Sequence, residues 1–463
     1  MEGSTVQNPQ VPLQQADPHY NAEPVGSSGV IKKILLILGI FIVIVVIILL
    51  GIFFVSKLKG SSAPREVTLT YWGVWEDATV IQPILDDFHK EHPNITVKYE
   101  KQDIKALGKY IDRLTTRMNN GTGPDIVRFH SSWVIQMKNL LLPFPQSVVK
   151  NTGLETDYYK TVQSDMQNNG AYYGIPLGVD TLALFVNTGL LEKSNVSHPL
   201  VWEDLRKIAV RLTTVEGGQI KKAGVALGTY ENIAHASDIV SLLFMQNGAD
   251  VNDLNGASQT NSVETLEYYT SYSQGNNNVW DATLDNSKLA FAKGNLGMYF
   301  GYSWDIFDID AKKAPDLTYQ IVKVPSLMGR KETVASYWAE GVSSKTKYSK
   351  EAFQLMEYLS KPETLQKLYT LQSKTRLFGS LYPRRSMAPL LKSNSLVYPF
   401  IEQADDAKST MFASDTFDNA MNDDLEIYLG NAINSINNDH TSAQSAVETL
   451  SKGVTQIRSH YAR

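Results

Sequence analysis

At 463 residues, with 43% hydrophobic, 10% aromatic and 20% charged residues, the chain has a globular profile and is too long for one compact core. A formal net charge of −5, with no Lys/Arg cluster beyond its apolar N-terminal segment, argues against nucleic acid as a partner. With no cysteine, the chain has no disulfide, thiolate metal site, Cys nucleophile or lipid-modified N-terminal Cys.

Residues 1–30 are rich in Pro, Gln, Asn, Gly and Ser and read as a disordered tail. From Ile34 to Val55 the sequence is apolar without a charge, about the twenty residues a helix needs to cross a bilayer. Val55-Ser56-Lys57 does not resemble a signal-peptide exit, so residues 31–56 are expected to be an uncleaved, single-pass transmembrane anchor. Residues 57–65 follow as a flexible linker. Lys32 and Lys33 before the segment balance Lys57 and Lys59 after it, so charge alone does not orient it.

Val67-Thr68-Leu69-Thr70-Tyr71 alternates apolar and polar residues as a half-buried strand does. Ile81, Ile84, Leu85 and Phe88 then recur at helical spacing, with Thr79 and Gln82 as a possible capping box. Ile95 to Tyr99 alternates again, so a parallel βαβ unit is predicted. Tyr110, Leu114 and Met118 mark a second helix, and Asp125 to Phe129 a third strand. This alternation predicts an α/β sheet with helices on both faces, where ligands bind beyond the carboxyl ends of the strands. Interest therefore falls on Trp72 to Asp77, His130 to Trp133 and Val179 to Thr181. Ala352, Leu355, Met356 and Leu359 form a helical stripe, and residues 415–460 read as a long amphipathic region.

Asp250 to Gly256 misses the spacing of a calcium loop and reads as a turn; no metal or cofactor is expected. Asn94-Ile95-Thr96, Asn120-Gly121-Thr122 and Asn195-Val196-Ser197 match the glycosylation sequon, which is a weak signal.

A set of short motifs runs in order over nearly 400 residues. It opens with Thr70-Tyr71-Trp72-Gly73-Val74-Trp75 and the turn Gly123-Pro124-Asp125-Ile126. Tyr173-Gly174-Ile175-Pro176, Leu184-Phe185-Val186-Asn187-Thr188 and Trp202-Glu203-Asp204-Leu205 follow. Gln246-Asn247-Gly248-Ala249, Phe291 to Met298 and the helix from Lys350 to Glu363 complete it. From about Glu66 onward the chain resembles the extracellular solute-binding proteins of ABC importers, in the sugar-binding branch that includes maltose-binding protein. It departs from that family in lacking the lipid-attachment Cys.

The resemblance implies a two-lobed periplasmic-binding-protein-like α/β fold with a ligand cleft that closes at a hinge. It places one lobe at roughly 66–181 plus 319–360 and the other at 182–318 plus 361–463. It also implies capture of a small ligand, a carbohydrate in kind, delivery to ABC transporter permease subunits, a monomer, and a C-terminal part outside the cell membrane. Sugars need aromatic faces for their C–H surfaces and carboxylates, amides or Arg for their hydroxyls. Trp75, Glu76 and Asp77 follow the first strand as platform and acceptors, with a core Trp and a capping Asp as the alternative. His130 and Ser131 end the third strand, where a lone His is more often structural. The resemblance implies an acidic ligand contact at Asp180, an aromatic one at Trp304 beside Asp305, and a cleft-facing loop at Trp338 with Glu340. Tyr230 is a further candidate. Arg384 either bonds hydroxyls or pairs with an acid. Two rival readings remain: a surface glycoside hydrolase with a cleft carboxylate pair, and a tethered solute sensor.

Overall fold

The computed structural model describes residues 28–58, 65–103, 110–275 and 278–461. The expected tail at residues 1–27 and residues 59–64 of the expected linker lie outside the described residues. The chain forms two compact units, Met1–Arg65 and Glu66–Arg463. In the first, helix α1 (Ser28–Leu58) holds a candidate membrane span, Gly29–Phe53, whose only charges are Lys32 and Lys33 in its first turn. Its 25 residues rise about 37 Å at about 1.5 Å each, enough by length and composition for a hydrocarbon core about 30 Å thick.

The second unit begins as the periodicity predicts. Strand β1 (Val67–Gly73) is followed by helix α2 (Ala78–Glu91), and β2 (Ile95–Lys101) pairs parallel with β1. The helix buries Val80, Ile81, Ile84, Leu85 and Phe88, the stripe expected from its spacing. The capping box does not form: Asp77 occupies the N-cap without a side-chain bond, and Gln82 bonds Asp86 one turn on. Helix α3 (Tyr110–Asn119) and β3 (Ile126–His130) complete the opening pattern, with β3 parallel to β1. A Cβ at Gly73 would collide with the Tyr99 ring, so only glycine lets the end of β1 pass under it.

The chain then crosses between sheets. Strands β4 (Ile175–Pro176), β5 (Asp180–Thr181) and β6 (Ala183–Asn187) follow within thirteen residues, each in a different sheet. Next come β7 (Thr214–Glu216), β8 (Gln219–Val225), β9 (Leu296–Gly301) and β10 (Tyr319–Val322). The return crossing is β11 (Thr333–Ser336) and β12 (Trp338–Val342), and β13 (Ala407–Lys408) comes last. One five-stranded sheet has the order β2-β1-β3-β12-β4 and the other β10-β6-β9-β8-β7. Between them lies a small sheet, β13-β11-β5, in which the outgoing and returning strands run antiparallel.

Pairing and packing group the later segments as follows. β10 hydrogen-bonds to β6, so residues from Tyr319 to the start of β11 belong with the second sheet. Helices α4 (Ser349–Leu359) and α5 (Pro362–Gln372) both sit with the first sheet; α5 packs on α2, with ion pairs Lys361–Glu91 and Lys367–Asp87. The single region expected over 415–460 is two helices, α6 (Met421–Asn438) and α7 (Ala443–Tyr461), which pack on each other.

Candidate ligand-binding site

A cavity of about 450 Å³ opens where the ends of β1, β3 and β9 meet the crossing strands. This is the position expected from the strand-end rule for α/β sheets. Trp75, Glu76, Asp180, Trp304 and Trp338, all singled out from the sequence, line it together.

On the first-sheet side the wall is an aromatic cluster. Trp75 meets Trp338 edge-on with ring centroids 5.5 Å apart, and Trp338 meets the fully buried Trp133 at 5.1 Å. His130 lies behind this wall, not in the cavity. It bonds Ser132 and Ser336 and packs edge-on against Trp338 at 5.4 Å. Burial holds its ring at a pKa of about 3, with Asp418 opposing weakly, so it is a neutral structural histidine. Ser131 is likewise buried outside the cavity lining. Below the wall, Arg128 of β3 forms an ion pair with Glu340 of β12. Burial lifts Glu340 to about 7, against the pull of Arg128. Beside them Arg376 pairs with Glu76, which also accepts from Gln372 at 2.7 Å.

The second-sheet side is built differently. Trp304 stacks on Tyr302 at 4.3 Å with ring planes only 15° apart. Under that pair, the Asp305 carboxylate accepts from His235 Nε2 at 2.8 Å, the Tyr299 hydroxyl at 2.9 Å and the Tyr302 backbone N–H at 3.1 Å. Lys288 reaches its other oxygen at 3.2 Å. Burial works against charge here, but His235 and Lys288 hold the Asp305 carboxyl well below the usual range. In the same way, Asp305, Asp415 and Asp238 overcome burial and lift His235 to about 9. Asp305 therefore supports the platform and does not itself line the cavity.

Asp180 stands on the crossing strand between the two walls. One oxygen accepts from the Thr181 N–H at 2.8 Å, the other from the backbone N–H and hydroxyl of Ser303. Burial pushes its pKa to about 8, opposed by those hydrogen bonds. The loop after β13 closes one rim. Asp415 and Phe417 take the left-handed backbone region at φ 55° and 57°, which costs on the order of 1–3 kcal/mol for such residues. That turn brings Phe417 to within 6.1 Å of Trp75. Gln136 to Asp418 and Ser132 to Asn422, both 2.9 Å, join the same rim. At the other rim Phe307 stacks on Phe378 at 4.7 Å under Arg376.

The remaining candidates lie elsewhere. Asp77 is exposed and pairs with Lys101. The Tyr230 ring packs against Gly430 of α6. Arg384 is buried and fully engaged, by Asp157 at 2.8 Å and by the carbonyls of Thr152 and Ser360. Of its two expected roles, pairing with an acid is the one the structure shows. Arg128, Arg376, Lys288, Phe307, Phe378 and Phe417 line the cavity without having been singled out. For Arg128 a signal existed: a cation inside the apolar run Ile126-Val127-Arg128-Phe129.

A family model described as "Bacterial extracellular solute-binding protein" matches residues 84–376. A "Multiple sugar-binding protein" of Streptococcus mutans is 24% identical over 346 residues, 68% of this chain and 76% of that protein. The sugar-binding protein MalE of Xanthomonas citri superposes with a TM-score of 0.71 at 19% identity, over 85% of this chain and 98% of that one. A cyclo/maltodextrin-binding protein complexed with maltotetraose gives a TM-score of 0.67 at 19% identity, over 86% and 98%.

Proposed function

The chain belongs to the bacterial extracellular solute-binding proteins, and from that premise we propose that it binds a sugar or oligosaccharide in the cavity between its two sheets and presents it to the permease of an ABC importer. Capture and release without chemistry is the whole of the activity in this reading. α1 is the anchor, the rest of the chain lies outside the membrane, and the protein acts as a monomer.

The observation that carries the ligand class is the cavity lining. Half-buried rings, Trp75, Trp304, Trp338, Phe307 and Phe417, alternate with charged side chains already paired to one another. A ring with apolar C–H faces and a girdle of hydroxyls matches such a surface, stacking on the rings and exchanging hydrogen bonds with the paired charges. The sugar-binding names and the maltotetraose of the structural neighbours support the same class.

The lobe division that fits the strand pairing puts residues 66–179 and 337–395 in one lobe and 182–332 and 409–461 in the other. β5 and β11 form the hinge. Closure brings Gln136 to Asp418 and Phe378 to Phe307, contacts that bridge the two lobes.

The test is a thermal-shift and calorimetric screen against mono- and oligosaccharides, with product analysis of each mixture. A ligand at about a hundred times its Kd should add about 2.7 kcal/mol of stability. Flat curves across all sugars would refute the ligand class, and a hydrolysed product would refute pure binding.

A further inference from the structure

Arg128 sits in the middle of β3, nine-tenths buried, with its guanidinium in the cavity lining. Its Nε lies 3.5 Å from Glu340 Oε1, an ion pair too poorly aligned for a hydrogen bond. Among the described residues Nε has no hydrogen-bond partner, and Glu340 Oε2 has none either. The nearer carboxylate oxygen, Oε1, is taken by the Tyr71 hydroxyl at 2.9 Å. A guanidinium carries five donors, and buried polar groups are ordinarily satisfied. Nε itself is sealed from the cavity, but the two Nη groups make no hydrogen bond among the described residues and are the donors left for an acceptor that arrives with the ligand.

A second arginine reaches the same place. Arg376 Nε donates to the Phe378 carbonyl at 3.0 Å, and Nη2 lies 3.3 Å from Glu76 Oε1. Burial lowers its pKa, Glu76 opposes that, and the charge of Arg128 adds to the lowering. Both arginines line the one cavity, so an anion bound there meets two cations.

We infer that the ligand is an acidic sugar, whose carboxylate is held by Arg128 and Arg376 while its ring lies against the tryptophans. A planar, singly charged carboxylate accepts two parallel N–H bonds from a guanidinium. A dianionic phosphate would set a second negative charge against Glu76 and Glu340, so the carboxylate is the better match. This inference rests on the carbohydrate reading above and narrows it.

The test uses the full-length chain in detergent, titrated with matched pairs: galactose and galacturonate, glucose and glucuronate, mannose and mannuronate, each also as the disaccharide, with glucose 6-phosphate alongside. One uronate is expected to bind at least about tenfold more tightly than its neutral partner, and to weaken as salt is raised. Arg376→Gln should reduce uronate binding about tenfold or more without changing the melting temperature by more than a few degrees. Arg128→Gln should abolish it, and Arg128→Lys, which keeps the charge beside Glu340, should recover part. A neutral sugar binding as tightly as its uronate overturns the inference and leaves the carbohydrate reading standing. So does full uronate affinity in Arg376→Gln, or a preference for the phosphate. Failure of every sugar, neutral and acidic, overturns both.

Discussion

The two walls of the cavity present similar tryptophans but hold them by opposite means. On the first sheet, Trp338 is wedged among Trp75, Trp133 and a neutral His130, so apolar packing fixes its position. On the second, Trp304 rides on Tyr302 above a charged His235–Asp305–Lys288 network. A packed wall holds only while its buried histidine stays neutral, whereas a buried charged network fails when any member is lost. Rigidity of equal quality can therefore carry different sensitivities to pH and mutation.

The largest effect that would break this comparison is Asp305→Ala. It strands the buried His235 without its acceptor, while Lys288 keeps Asp308, and a loss of about 3–5 kcal/mol is expected in chemical denaturation. A loss under 1 kcal/mol would mean the second wall is held by packing after all. Next, Trp304→Ala should weaken ligand binding by about ten- to a hundredfold in calorimetry while the protein stays folded.

The pH response sharpens the contrast, because the two histidines act in opposite windows. His235 has its pKa raised to about 9, so its stabilisation is complete below about pH 6.5 and is lost as pH rises through 9. His130 has its pKa lowered to about 3, so its contribution is complete above about pH 6.5 and is lost as pH falls toward 3. Melting temperatures from pH 4 to 10 should fall at both ends. His235→Gln should flatten the alkaline limb only, and His130→Gln the acid limb only. The smallest effect is at Asp77. Its exposed pair with Lys101 contributes little, and Asp77→Ala should leave stability within about 0.5 kcal/mol and binding unchanged.

What could be read from the sequence followed the reach of local physics. The βαβ opening was legible because its apolar spacing is set by strand and helix periods within thirty-five residues. Trp75 and Asp180 were legible as strand-end residues, and Trp304 and Trp338 through the family resemblance. Arg384 stayed open between two roles because an arginine beside a turn looks the same whether it faces a ligand or two carbonyls 24 and 232 residues away. The placement of β10 was also out of reach, since its partner β6 lies more than 130 residues earlier. Phe417 enters the cavity through left-handed backbone at Asp415 and at Phe417 itself, and a phenylalanine in that conformation is not foreseeable from sequence.

The order of strands in the first sheet has a consequence for synthesis. β3 forms early, but its neighbour β12 follows some two hundred residues later, and the Tyr71–Glu340 bond spans 269 residues. At about 5–20 residues per second, that bond waits roughly 15–55 s for its second partner. For the last roughly 10–40 s of that interval β3 is an open edge on a nascent chain, the kind of surface on which strands of other molecules pair. A charge carried mid-strand disfavours such pairing, so Arg128 guards the growing sheet before Glu340 arrives to meet it.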